Sequence, residues 1–165
     1  MLPVKPFRQR TGYCGPASLK MVLDYFGIRK TEKELAVLSG ATKKQGVQDG
    51  EGLVKAARSL GLKAALKDKA TLADIRKYIK QEIPVIVNWF SVNEGHYSVV
   101  VDIDKENLYI KDPEWGYTRA MRLDTFMEVW FSIRGNVPSS KEDFNIRRLI
   151  AVEPHKPRRG RAKKK

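Results

Sequence analysis

The sequence predicts an α+β domain, helices first and an antiparallel sheet after, and three observations carry that prediction. Four stretches within residues 16–81 place apolar residues at helical spacing; four short β-rich segments within 84–123 are divided by turn residues; and Pro84 stands between the two regimes. A chain of 165 residues with 42% hydrophobic content is long enough for one domain with a filled core.

The first helix is expected over about 16–26. Leu19, Val22, Leu23 and Phe26 share one face, Pro16 suits a first helical position and Gly27 suits the stop. Thr31 with Glu34 makes a capping box for the second helix, "EKELAVLS", which ends at Gly40. A third, near 49–60, presents Leu53, Ala56, Ala57 and Leu60 on one side. "KAALK" at 63–67 reads as a strand, and Thr71 with Asp74 opens a fourth helix that runs to about Gln81, before Pro84. Strands follow at 84–90, 96–103, 107–111 and 118–123, then a short helix over about 124–130 and a last strand at 147–153. Helical and sheet portions segregated in this way leave a cleft at their boundary.

The net charge of +13 is unevenly placed: the last eleven residues, "HKPRRGRAKKK", hold basic side chains and no acid. We therefore expect a domain over 1–154 and a basic, solvated tail over 155–165 able to contact polyanions or nucleic acid weakly. One cysteine, Cys14, allows neither an intramolecular disulfide nor a cysteine-based zinc site, and two histidines do not allow a multi-histidine metal site. "GEGLVK" at 50–55 lacks the third glycine of a nucleotide loop and does not follow a strand, so it reads as a helix N-terminus. No cofactor is expected. The N-terminus lacks the apolar stretch of a signal peptide and no apolar run approaches the roughly 20 residues that span a bilayer, which predicts a soluble, cytoplasmic protein without a membrane span.

Cys14 stands at the start of the first helix, where free N–H groups and the helix dipole favour a thiolate, and Gly12 and Gly15 leave room for a substrate backbone. A lone cysteine is more often a small packed hydrophobe, and helix position alone does not decide between the two. His96, at the start of a strand after "NEG", supplies an imidazole able to take and return a proton. Asp112 ends the following strand before Pro113. With a turn inside "DKEN", His96 falls opposite residues near 113–115, which puts Asp112 within orienting distance. Gln9, five residues before Cys14, can offer a side-chain amide to a developing oxyanion. Trp89, Tyr97 and Trp115 lie near these residues as candidate lining.

Together "CGPASLKMVLDYFG", "EGHYSVVVDID" and "IKDPEWG" resemble the papain-like cysteine peptidases of the bacteriocin-processing, double-glycine leader peptidase family, over roughly residues 9–130. The resemblance implies a papain-like fold, its N-terminal helical half packed against a C-terminal antiparallel sheet. It also implies roles: Cys14 as nucleophile, His96 as general base and acid, Asp112 as histidine orienter and Gln9 as oxyanion donor. The family's glutamine usually stands six residues before the cysteine, one more than here. Members are commonly the first domain of an exporter with an ATPase, and this chain carries neither, so the expectation is a stand-alone peptidase acting on a peptide or protein substrate. The alternatives are a non-catalytic peptide-binding module on the same fold and a nucleic-acid-associated protein acting through its tail.

Overall fold

The structure, a computed structural model, describes residues 1–44, 46–47, 50–92, 94–135 and 137–155. The expected start of the third helix, the turn residue Asn93 and the basic run 156–165 lie outside the described residues.

Among the described residues five α-helices and eight strands follow in the order α1 (Cys14–Tyr25), α2 (Glu32–Ser39), α3 (Glu51–Ser59), β1 (Lys63–Lys67), α4 (Leu72–Lys80), β2 (Val85–Ser91), β3 (Glu94–Ile103), β4 (Asn107–Asp112), β5 (Tyr117–Arg122), α5 (Leu123–Val129), β6 (Phe131–Ile133), β7 (Phe144–Ile146) and β8 (Arg148–Glu153), with one 3-10 turn at Lys141–Asp143. Both expected capping boxes form. The Thr31 hydroxyl accepts from the Glu34 N–H while Glu34 accepts from the Thr31 N–H, and Thr71 and Asp74 repeat the arrangement. Helix α1 begins two residues earlier than expected, because a proline in the first turn forfeits no intrahelical bond. Cys14 therefore lies within the first turn of the helix.

The main sheet has the order β1-β8-β2-β3-β4-β5 and every neighbouring pair is antiparallel. Helices α1–α3 cover one face, where Leu19, Val22, Leu35 and Leu53 join Ile86, Tyr97, Val99 and Ile150 in one core. On the opposite face Ile75 of α4 and Phe126 of α5 join Val85, Val87, Val100 and Leu149 in a second. Strand side chains alternate between faces, so β2 and β3, covered on both, need apolar residues at consecutive positions. That is the physical origin of the runs "PVIV" and "SVVV". Strands β6 and β7 pair separately as a small ribbon beside the β2–β3 end of the sheet.

The α2–α3 contact explains "GEGLVK". A Cβ on Gly52 would stand 2.1 Å from the Ser39 carbonyl oxygen, which is backbone and cannot swing aside. Alanine there gains about 1 kcal/mol of helix propensity but forces two helices apart, at a cost of roughly 1–3 kcal/mol or more. Gly52→Ala is therefore expected to lower the urea midpoint of unfolding; an unchanged or raised midpoint would show that the α2–α3 contact yields freely.

Candidate active site

Residues from both portions of the fold meet at the N-terminus of α1. The segment leading to Cys14 is pinned at three points. The Gln9 N–H donates to the Pro113 carbonyl at 2.8 Å, the Arg10 N–H donates to Glu32 Oε1 at 2.9 Å, and Gly12 lies flat against the Lys43 carbonyl. Gly12 has φ +83° and a Cβ there would meet the Lys43 oxygen at 2.3 Å, so both conformation and space require glycine. Glu32 is buried, and its carboxylate ties the first turn of α2 to this loop. Cys14 is half-buried, and no side chain among the described residues caps α1, which leaves first-turn N–H groups beside the sulfur.

His96 enters from the sheet. It is 6% exposed, pairs with Trp89 across β2–β3, and meets the Trp89 ring edge-on at 5.5 Å. Its Nε2 lies 2.8 Å from Asp112 Oδ1, and the Cys14 side chain is near enough to act on the titration of the ring. With Nε2 occupied by Asp112, Nδ1 is the nitrogen left for the sulfur. Burial acts to push the imidazole pKa down; the hydrogen bond to Asp112, the nearby Cys14 side chain and the charges of both outweigh it and raise the value to about 10.

Asp112 is 1% exposed and fully bonded. Oδ1 accepts from His96 and from the Glu114 N–H at 3.0 Å, while Oδ2 accepts from Arg119 Nη1 at 2.7 Å. Burial favours its protonated form, but the bond and charge of His96, then Arg119 and the Glu114 N–H, prevail and hold the carboxyl below its ordinary range. The hairpin geometry accounts for the meeting. Val99 pairs with Lys111, so Asp112 sits one step on, diagonal to His96 on the same face of the sheet.

The structure thus sets a hydrogen-bonded His96–Asp112 pair beside Cys14, and it ties Gln9 through its backbone to the loop after Asp112. Gln9 Oε1 is buried without a hydrogen-bond partner among the described residues, so that end of the amide serves no structural bond. Of the three aromatics, Trp89 touches His96, Tyr97 packs in the core under α1, and Trp115 is 54% exposed. Arg119 escaped the sequence reading. Its signal is indirect: the Trp115-Gly116 turn pairs Asp112 with Tyr117, and the residue two places on returns to the face of Asp112.

His96, Asp112 and Glu114 place three potential ligand atoms within 4.8 Å. They do not suit a cation, because both Asp112 oxygens are already engaged and a guanidinium stands against one of them.

A cysteine at a helix start, facing a histidine and aspartate from an antiparallel sheet, is the arrangement of papain-like peptidase domains. Within that class the chain belongs to the Peptidase_C39 like family, whose model matches residues 1–137. An uncharacterized protein of Methanothermobacter marburgensis is 35% identical over 131 residues, covering 79% of this chain and 83% of that protein. The pediocin PA-1 transport/processing ATP-binding protein PedD of Pediococcus acidilactici is 36% identical over 107 residues, 61% of this chain but 14% of PedD. In three dimensions the fold is similar to the peptidase domain of Streptococcus ComA, a bi-functional ABC transporter, with TM-score 0.73 and 26% identity over 92% of this chain and 99% of that domain. Among the described residues no helix is long and apolar enough to cross a membrane.

Proposed function

We propose that the chain is a cysteine peptidase that cleaves a peptide bond following two glycines, through a Cys14–His96–Asp112 triad and an acyl-enzyme. The observation that carries this reading is the buried Asp112–His96 pair turned toward the one cysteine of the chain. Family membership supports the reaction, and the processing role in the name of PedD supports a peptide substrate that is cleaved in processing.

The chemistry joins the Cys14 sulfur to the His96 imidazole. Cys14 Sγ, as thiolate, attacks the scissile carbonyl carbon, and the carbonyl π electrons move to oxygen. First-turn N–H groups of α1 and the Gln9 amide N–H stabilise that oxyanion. As the C–N bond breaks, His96 Nδ1 gives its proton to the leaving nitrogen and a thioester remains. Water then loses a proton to His96 as its oxygen attacks the thioester carbon, the C–S bond breaks, and the thiolate returns. Asp112 keeps Nε2 protonated and the ring aligned throughout.

The direct test incubates the full chain with a peptide carrying an internal Gly-Gly and follows it by mass spectrometry. We expect two products divided after the second glycine and, on acid quench, a protein adduct carrying the N-terminal fragment. A peptide that binds but stays intact at high enzyme would overturn catalysis in favour of a binding module.

A further inference from the structure

Asp112 has two oxygens and only one serves His96; the other carries the inference. Oδ2 is buried with the rest of the carboxylate, and the ligand it meets is Arg119 Nη1 at 2.7 Å. The guanidinium is itself placed. It lies 5.9 Å from the centre of the Trp89 ring, and Trp89 Nε1 donates to Ser98 Oγ at 3.1 Å. Since Trp89 also meets His96 edge-on, the contacts close into a ring: His96 to Asp112, Asp112 to Arg119, Arg119 to Trp89, Trp89 to His96. Four adjacent strands, β2 to β5, contribute one member each. Within that ring no side chain can turn without breaking a contact on each side.

We propose that Arg119 is a positioning residue of the site: by holding Asp112 Oδ2 it fixes the plane of the carboxylate and so presents Oδ1 to His96. The proposal rests on the triad reading above. The physical reason is the cost of the alternative. A buried carboxylate oxygen without a donor is expensive, so without Arg119 the carboxylate would turn toward water and take the imidazole with it. The groups that face Asp112 are His96 from β3, Arg119 from β5, Cys14 of α1 through the imidazole, and Glu114 from the turn after β4. Arg119 is the fixed positive charge among them. It also stabilises ionised Asp112, so its loss lets Asp112 take a proton at a higher pH than before.

The test compares full-length wild type, Arg119→Met, Arg119→Lys and Cys14→Ala on the Gly-Gly peptide, with thermal melts for each. Arg119→Met keeps the stem over Trp89 and removes the fork. It should lower kcat by about ten- to a hundredfold with KM unchanged, and move the acid limb of kcat/KM to higher pH. Arg119→Lys restores charge without the planar fork, so the limb should return while kcat recovers only in part. Wild-type kcat and pH profile in a folded Arg119→Met would overturn the proposal while Cys14→Ala remains dead. An active Cys14→Ala would instead overturn the triad reading. If the methionine variant does not fold, Arg119→Lys decides alone: a kcat several-fold down with an unmoved acid limb supports positioning, and a wild-type kcat overturns it.

Discussion

Cys14→Ala should lower kcat/KM for the Gly-Gly peptide by at least about 10³-fold, and His96→Ala should do the same. The chain carries one thiol, so no second sulfur can substitute for it. The replacement is also structurally mild. Cys14 is half-buried at the edge of the core and no cap bond involves it, so the alanine variant should melt within a few degrees of wild type. The sharper test is the double variant. If sulfur and imidazole act as one ion pair, removing either already removes the attack step, and Cys14→Ala/His96→Ala should be no slower than either single variant. Independent contributions would multiply instead. Two modest single losses that multiply in the double variant would deny the pair its joint role, whatever the distance between the side chains.

The parts of this site that were legible in the sequence are those set by local rules. Gly15-Pro16 after Cys14, the Thr31–Glu34 and Thr71–Asp74 boxes, and the short "DKEN" turn each fix their own geometry over a few residues; the register of β3 on β4 follows from that turn only as far as Asp102, and the irregularity between Val100 and Asp102 shifts it by one residue and so brings Asp112 to the face of His96. The parts that were not legible depend on distant pairing. Strand β8 inserts between β1 and β2, a neighbour relation that no local pattern encodes. Strands β6 and β7, three residues each, are too short to display alternation, and their pairing spans "RGNVPSSKED". Arg119 belongs to the same class: an arginine on a half-exposed strand reads as a solvated side chain until two hairpin registers are known together. Placing the aromatics needed the three-layer arrangement as well, since Trp89 and Tyr97 lie in different cores.

Asp112→Asn should reduce kcat by about 10²–10⁴-fold and bring the alkaline limb of activity down from about pH 10, because it removes the carboxylate hydrogen bond that does most to keep His96 protonated, and with it the Asp112 charge. Burial, which favours the neutral ring, would then face Cys14 alone. The asparagine also leaves Arg119 without its carboxylate. At 34% exposure the guanidinium can recruit water, so the variant should fold, with reduced stability. The loss has a pH window. His96 rises from 6.5 to about 10 on folding, so its contribution is complete below about pH 6.5 and fades as pH rises through 10. Asp112 is lowered from its ordinary 3.8, so its contribution is present above that pH and fades on acidification. The stability gap between wild type and Asp112→Asn should therefore be widest between about pH 4 and 6.5 and narrow on either side. Urea unfolding at pH 5.5 and pH 9.5, beside a pH–rate profile, reads both effects on one variant. An alkaline limb still at pH 10 with a pH-independent stability gap would mean that Asp112 is not what holds the proton on His96, and the order of the triad would have to be drawn again.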